Sequence, residues 1–522
     1  MNNTTQPGAA PTGPAATSNA PAVKSVLRMG VFTLAMINVS AIVSLRGMPA
    51  ESTYGLSSVF YYIFAAVFFL VPVSLVAAEL TTGWPQKGGV YRWVGEAFGK
   101  KWGFLAIWLQ WIESTIWFPT VLTFAAVSLA FMGPGQRWDE ALAANKWYVL
   151  IVVLCVYWAA TLLNLRGMKT SAGVTKWGTI IGTIVPGAIL ILLGLGYWAG
   201  GNPILLDMSW DKLVPDMSNF NNLVLAASIF LFYAGMEMSA VHVKDVNNPG
   251  RNYPLAILIS AIITVLIFVL GTLAIGFIIP NSQINLVQSL LSTYDSYFSF
   301  FGLGWMNWIL ALALAVGVLA QVTAWVGGPS KGLYQVGLAG NLPPVMQKRN
   351  KNNVQMGILL IQGGIVTLLS IMFVIMPSVQ SAYQIISQLT IILYLIMYML
   401  MFASGIYLRY REPNTPRTFR IPGGRTFGMW VVGGLGLLAS LAAFLVSFIP
   451  PNQITVGSST MYVLLLVVGT FIFAGIPFII HAMAKPSWKR PVDPEDAFEP
   501  FGWEKSNGSH SAATPSHSIS HE

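Results

Sequence analysis

The stretch AMINVSAIVSLRGMPAEST, residues 35–53, decides the fold, because it begins as an apolar helix and then cannot continue as one. Arg46, Gly47 and Pro49 follow one another where a membrane helix needs apolar side chains and intact backbone hydrogen bonds. Proline removes a backbone donor, and glycine weakens a helix locally. One such interruption is also compatible with a kinked structural helix.

A second interrupted stretch, LAASIFLFYAGMEMSAVHV at residues 225–243, carries Glu237 inside an apolar run. Two breaks five predicted helices apart indicate two inverted five-helix repeats, residues 27–199 and 221–408, with two further helices at 428–484. In such folds, interrupted helices free backbone groups near the middle of the bilayer. Those groups and the helix-end dipoles hold the charged groups of a substrate.

The composition places the chain in a membrane. Hydrophobic residues make up 55% and charged residues 9% of it, whereas soluble domains carry about 25% charged residues. The apolar runs do not alternate in the way that β-barrel strands do, so they predict an all-α protein with about twelve transmembrane helices. The predicted spans are 27–49, 58–79, 102–132, 147–165, 173–199, 221–243, 254–280, 302–328, 355–376, 381–408, 428–449 and 461–484.

The basic residues orient the chain. With the N-terminus in the cytoplasm, 24 Lys and Arg residues fall on the inside and 3 on the outside, with Arg46 in the first span. This asymmetry predicts a multi-pass protein of the cell inner membrane with both termini cytoplasmic. The net charge of +9 therefore reflects topology and does not indicate nucleic-acid binding. Residues 1–23 are predicted to be a disordered arm, 24–490 the transmembrane domain and 491–522 a cytoplasmic tail.

The sequence contains none of the usual enzyme motifs. P-loop, HExxH, GxSxG and CxxC patterns are absent, and one cysteine and five scattered histidines offer no metal-ligand set. We therefore predict a protein that is not an enzyme and needs neither a metal nor another cofactor. A homo-oligomer is compatible with the sequence.

Several motifs together resemble a known family. YAGMEMSAVHVKDVNNPGRNYPLAI (233–257), GWPQKGGVYRWV (83–94) and GVLAQVTAWVGGPSKGLY (317–334) look like the APC superfamily, and most resemble its bacterial glutamate/γ-aminobutyrate antiporter branch. KRNKN, TFRIPGG and SFIPPNQI match the same branch. The resemblance implies a LeuT-like 5+5 inverted repeat with broken helices 1 and 6. It also implies alternating access, exchange of amino acids for decarboxylation products, and a role in acid resistance.

The resemblance also suggests site residues. Glu237 matches the acidic residue of the broken sixth helix, Trp325 the gating aromatic of helix 8, and Tyr394 and Tyr398 the substrate-facing aromatics of helix 10. At the first break the chain departs from the Tyr-Glu-Tyr-Pro pattern typical of the glutamate exchangers, and a charged residue, Glu113, lies in helix 3. The candidate substrate-binding residues are Ser44, Arg46, Gly47, Glu113, Tyr233, Gly235, Glu237, Trp325, Tyr394 and Tyr398.

Each charged candidate has a structural alternative. Glu237 either ties helix 6 to a neighbour or contacts substrate and protons. Arg46 must be paired, either with Glu113 in a structural ion pair or with a substrate carboxylate. Glu79 is predicted to be structural, and His242 is either a hydrogen-bonded structural residue or a proton sensor.

Three functions fit this sequence. The first is an amino-acid antiporter, with glutamate and γ-aminobutyrate as the first pair to test. The others are a proton-coupled amino-acid symporter of the same fold and a non-transporting amino-acid receptor. The tail histidines, His510, His517 and His521, suggest a pH-dependent cytoplasmic plug whose removal near Pro491 broadens activity toward neutral pH. The alternative is a solvated tail.

Overall fold

The computed structural model describes the chain over residues 30–133, 135–215, 227–237, 246–450, 458–491 and 497–505. Within these stretches helices are the regular secondary structure and no strand is present, as expected where backbone groups must bond within their own segment. His242 and the three tail histidines lie outside the described residues.

Nineteen α-helices lie in the described residues. They are α1 (Val31–Ile42), α2 (Met48–Ser52), α3 (Ser57–Ala65), α4 (Val71–Gly83), α5 (Val90–Phe98), α6 (Lys100–Ala130), α7 (Gln136–Ala143), α8 (Lys146–Leu165), α9 (Met168–Thr179), α10 (Val185–Ala199), α11 (Ser228–Tyr233), α12 (Pro249–Ile278), α13 (Ser289–Phe300), α14 (Asn307–Leu338), α15 (Met356–Ser370), α16 (Met372–Ile375), α17 (Val379–Arg411), α18 (Phe427–Val446) and α19 (Ser459–Ala482). Short π-helical turns join α3 to α4 and α9 to α10.

Ten continuous helical segments of the described chain are long and apolar enough to cross a membrane, and they coincide with ten of the twelve predicted spans. The other two are the predicted interrupted helices. The first consists of α1, a 3-10 turn at Leu45–Gly47 and α2. Of the predicted span 221–243, the structure describes residues 227–237, which contain α11.

Helix α14 extends beyond the predicted eighth span. Residues 302–328 were expected to span, but α14 continues through Pro329 to Leu338. Proline removes one backbone hydrogen bond, and packing can compensate for that loss. Leu333 and Val336, beyond the proline, are fully buried, so the last two turns are held by contacts with their neighbours.

Two long helices form the centre of the bundle. In its most apolar stretch α6 is 94% buried and α17 is 78% buried, whereas α19 is only 17% buried. The outer helices therefore expose apolar side chains that lipid can cover, while α6 and α17 contact other helices on most sides. Polar side chains on α6 and α17 consequently point into the protein, where they can serve a binding site.

Glycine permits one especially close helix crossing. A β-carbon on Gly182 would overlap the backbone of Gly317, and one on Gly317 would overlap the backbone of Gly182. The π-helical turn before α10 therefore meets α14 backbone to backbone, a close approach that small residues permit between membrane helices.

An ion cluster ties the end of α4 to α17. Arg409 approaches both carboxylate oxygens of Glu79, with Nε 2.6 Å from Oε1 and an Nη2 hydrogen bond of 2.8 Å to Oε2. Arg417 lies 3.4 Å from the same carboxylate, which also accepts the amide of Ile421 at 2.9 Å. This bidentate, buried arrangement supports the structural role predicted for Glu79.

Residues 497–505 of the predicted tail pack against α5, and we call this segment the clasp. Phe501 is fully buried against Gly95, where a β-carbon would overlap its ring. Arg92 donates to the carbonyls of Glu499 and Pro500. Its guanidinium also lies 4.8 Å from the centre of the Phe501 ring. Residues 497–505 are therefore held against the short helix between the second and third spans.

Glu96 joins the clasp from the α5 side. Its carboxylate accepts the amide of Gly502, with Oε2 at 2.9 Å, and pairs with Arg92 at 3.1 Å. Burial raises the pKa of the Glu96 carboxyl above its usual range, the Gly502 amide and Arg92 lower it, and Glu412 adds a smaller upward contribution. The net effect is a raised pKa in the docked state.

Phe501→Ala should release the clasp. Removing a fully buried ring is worth about 3–5 kcal/mol in a packed core, which is large for the docking of nine residues. The measurement is the mobility of a spin label in a K505C variant whose native Cys155 is replaced by serine. Phe427→Ala, which removes a ring that is 73% exposed, is the control and should leave the label immobile. Equal mobility in Phe501→Ala and the parent would contradict the docking.

The clasp should loosen as pH rises. Undocking exposes Glu96 and returns its pKa toward the ordinary value, so the docked state holds the proton more tightly. Docking is therefore favoured at low pH and weakened as pH rises through the raised pKa. The K505C label should be more mobile at pH 8 than at pH 5, and Glu96→Gln should remove the difference. A label that becomes more mobile on acidification would reverse this sign.

Candidate functional site

The first break opens the backbone beside a cavity. After α1 ends at Ile42, Val43 and Ser44 are extended, with ψ near 118° and 119°, before the 3-10 turn begins. These residues do not continue the helical ladder, so groups at the end of α1 lack their usual helical partners. Gly47 is covered by the ring of Phe232, which a β-carbon there would overlap. The two breaks therefore touch at this glycine.

The second break depends on Gly235. Its φ is +111°, a conformation that side chains strongly disfavour. This turn ends the helix begun by α11, and a β-carbon at Gly235 would stand 3.2 Å from the Trp325 ring. The backbone can therefore approach the aromatic side chain closely and still redirect the chain toward Glu237.

Four donors surround the Glu237 carboxylate. Tyr394 donates to Oε1 at 2.5 Å and Gln110 donates to the same oxygen at 3.0 Å. Tyr398 donates to Oε2 at 2.6 Å, and the amide of Gly235 donates to it at 3.2 Å. The carboxylate therefore links the second break to α6 and α17, and both of its oxygens are occupied.

A small cavity of about 30 Å³ lies between the two breaks and helices α6, α14 and α17. Its wall combines apolar and aromatic side chains with one basic and one acidic residue, Arg46 and Glu113. The lining residues are Ile42, Ser44, Arg46, Glu113, Trp117, Phe232, Ala234, Gln321, Trp325 and Tyr394. A mostly apolar cavity with a few convergent polar groups is the usual form of a small-molecule site.

Arg46 enters the cavity wall without the predicted structural partner. Its Nη1 donates to the Tyr383 hydroxyl at 2.8 Å, and its guanidinium lies 5.3 Å from the centre of the Trp117 ring. Among the described residues, no ion pair joins Arg46 to Glu113, and Arg46 Nε and Glu113 Oε1 are buried without a hydrogen-bond partner. The charges therefore face one cavity and remain separate.

The structure brings most of the predicted site residues together. Besides the cavity-lining candidates, Glu237 contacts Tyr394, and Gly235 lies against Trp325. Tyr398 stands behind the lining, because its hydroxyl bonds Glu237. Tyr233 lies elsewhere: its hydroxyl donates to the Tyr62 carbonyl at 3.2 Å.

Sequence reasoning missed several residues around the cavity. Tyr383 lies eleven positions, or about three helical turns, before Tyr394 on α17. Trp117 and Gln110 lie one turn on either side of Glu113 on α6. These helical spacings from the predicted residues could have identified them. Gln321 has the same kind of signal, since it lies one helical turn before Trp325 on α14, whereas Phe232 carried no comparable signal.

Comparison with known sequences supplies the family. The sequence model described as amino acid permease matches residues 29–473. The chain belongs to the amino acid permease family. It is thus related to multi-pass membrane transporters of small molecules, in agreement with the ten apolar helices in the described chain.

Individual relatives of this permease cover most of its length. An uncharacterized transporter of Legionella pneumophila is 40% identical over 451 residues, 86% of this chain and 96% of the relative. A glutamate/gamma-aminobutyrate antiporter of Lactococcus lactis is 31% identical over 461 residues, 87% of this chain and 90% of the relative. A probable agmatine/putrescine antiporter of Lactococcus lactis is 25% identical over 373 residues, 71% of this chain and 77% of the relative.

Glu237→Gln tests the hydrogen-bond network. The amide keeps the volume but places a donor among four donors, so one buried group loses its partner, at a cost of about 1–3 kcal/mol. We expect a folded, inserted permease with a lower thermal midpoint and altered transport between pH 5 and 8. Glu412→Gln, at an exposed position, is the charge-matched control. A folded Glu237→Gln variant that transports like the parent would leave Glu237 a packing element only.

Proposed function

We propose that this permease is a secondary amino-acid transporter that works as an antiporter. The observation that carries the proposal is the cavity between two interrupted helices, with a buried, incompletely bonded arginine in its wall. Free backbone groups at the breaks suit the charged ends of an amino acid, and Arg46 adds a planar donor for a carboxylate. The antiporter names of two relatives support the exchange mode.

Alternating access supplies the mechanism. In the proposed LeuT-like architecture, repeats 27–199 and 221–408 rock against each other in the cell inner membrane, with both termini cytoplasmic. Phe232 and Trp325 border the cavity from the second break and from α14. We propose that they cover a bound substrate before the opposite side opens. Decarboxylation of an imported acidic amino acid consumes a cytoplasmic proton, and exchange of the product for fresh substrate would sustain that consumption, which is the basis of the proposed role in acid resistance.

The second candidate is a proton-coupled amino-acid symporter. It is favoured by two buried carboxyl groups beside the cavity, Glu113 and Glu237. Purified permease in liposomes separates these functions. Uptake that requires internal substrate supports the antiporter. Uptake into empty vesicles driven by a pH gradient supports the symporter, and binding without flux supports the receptor. Glutamate and γ-aminobutyrate are the first pair to load.

Arg46→Ala should weaken the binding of acidic substrates more than the binding of neutral ones. Loss of a charge-assisted hydrogen bond is worth about 1.5–3 kcal/mol, so the half-saturating concentration for glutamate should rise by at least tenfold. The measurement is exchange in liposomes with glutamate and a neutral amino acid of similar size. Arg420→Ala, at an exposed position, is the control. Equal weakening of acidic and neutral substrates would leave Arg46 with a structural role.

A further inference from the structure

Two buried ionisable side chains in the cavity wall, one basic and one acidic, each keep an unused hydrogen-bonding atom. Arg46 and Glu113 are 4% and 2% exposed, so water reaches neither well. Arg46 Nε and Glu113 Oε1 nevertheless have no hydrogen-bond partner. A buried polar atom without a hydrogen-bond partner is unfavourable, so these atoms indicate a ligand that completes them.

The two charges do not complete each other. No nitrogen of Arg46 comes within ion-pair distance, 4 Å, of a Glu113 oxygen in the described chain; the guanidinium instead bonds Tyr383 and lies over Trp117. Trp117 is one helical turn beyond Glu113 on α6. The cavity therefore presents a basic group and an acidic group at separate positions, bordered by an aromatic ring.

The other carboxylate near the cavity is already occupied. Glu237 accepts four hydrogen bonds through its two oxygens. A cationic ligand group that sought this carboxylate would have to displace a tyrosine or a backbone amide. Glu113 is thus the carboxylate with an open acceptor in the cavity lining.

We infer that the cavity binds a dipolar substrate from both ends, with Arg46 holding a carboxylate and Glu113 holding the ammonium group. The planar guanidinium suits a carboxylate, and a compact ammonium suits a single carboxylate oxygen. A net-neutral ligand of this kind leaves the two charges balanced in a low-dielectric site. This inference rests on the proposed function, since it specifies the substrate class of the same cavity.

The dipolar site explains how one cavity can serve both partners of an exchange. An amino acid with a distal carboxylate and the ω-amino acid formed by its decarboxylation share two groups, the ammonium and the distal carboxylate. Arg46 and Glu113 would recognise those shared groups. The extra α-carboxylate of the parent amino acid would be left to the free backbone amides at the breaks. An amine without a carboxylate would bind only Glu113, and an acid without an amine would bind only Arg46.

The test compares three ligands of equal chain length: 4-aminobutanoate, butanoate and butylamine. Equilibrium binding is measured on the purified full-length permease in nanodiscs. The parent should bind 4-aminobutanoate at least about tenfold more tightly than either single-charge ligand. Glu113→Gln should reduce the affinity for 4-aminobutanoate to that for butanoate and leave the affinity for butanoate unchanged. Arg46→Gln should reduce the affinity for 4-aminobutanoate to that for butylamine and leave the affinity for butylamine unchanged. Glu412→Gln is the matched control.

A variant with a shorter acidic side chain keeps the inference testable if Glu113→Gln fails to fold. Glu113→Asp retains the charge but withdraws it by one methylene. It should therefore weaken 4-aminobutanoate and shift the preference toward 5-aminopentanoate. The inference is overturned if Glu113→Gln binds 4-aminobutanoate as tightly as the parent does. It is also overturned if Arg46→Gln and Glu113→Gln each weaken the binding of all three ligands equally and the double variant regains the parent's affinities, which is the signature of a structural pair.

The binding experiment tests the dipolar site, and the liposome experiment tests the antiporter function, so either proposal can be overturned without the other. The reciprocal ligand pattern without any exchange in liposomes would overturn the antiporter and uphold the dipolar site. Exchange in liposomes with no effect of Glu113 on ligand preference would uphold the antiporter and overturn the dipolar site.

Discussion

The pairing of Glu237 is the constraint on which the cavity depends. A charged group placed among apolar helices costs about 2.5–3.5 kcal/mol on insertion scales unless it finds partners. Here the partners come from α6, from α17 and from the break itself through the Gly235 amide. To satisfy the carboxylate, the chain must turn at Gly235 and Tyr394 must point inward. The same turn carries the second break past Trp325, so one wall of the cavity follows from the hydrogen bonds of a single side chain.

Burial explains why polar function concentrates on two helices. Because α6 and α17 are covered on most sides, a polar residue there meets protein rather than lipid. Glu113 and Gln110 come from α6, and Tyr383 and Tyr394 from α17. The more exposed helices can keep such groups from hydrocarbon only on the face that packs inward, as Gln362 on α15 shows. A scaffold built around two central helices therefore limits where specificity can change, and it leaves the positions that face the cavity as the natural sites of variation.

The local chemistry of the sequence predicted the spans and the position of the breaks, because apolar length and the Gly and Pro residues act within their own segment. It also identified Arg46 and Glu113, and the family resemblance added Trp325; all three line the cavity. It could not predict that Tyr383, from a helix more than 300 residues later, would bond Arg46, for which Glu113 and a substrate carboxylate were the two predicted partners. Tyr233 was placed at the site by its neighbourhood in sequence, whereas its hydroxyl bonds the Tyr62 carbonyl. Such choices depend on how helices rotate against one another, which local pattern does not specify.

The crossing of Gly182 and Gly317 has an evolutionary consequence. When two packed side chains change over time, a larger residue on one helix can be offset by a smaller one on its neighbour. That route is closed here, because each glycine already meets the backbone of the other and no residue is smaller. Neither position can drift alone, and no single second substitution repairs the first. A substitution at this crossing requires the two helices to separate. Sequence divergence in this part of the bundle is therefore confined to positions other than these two glycines.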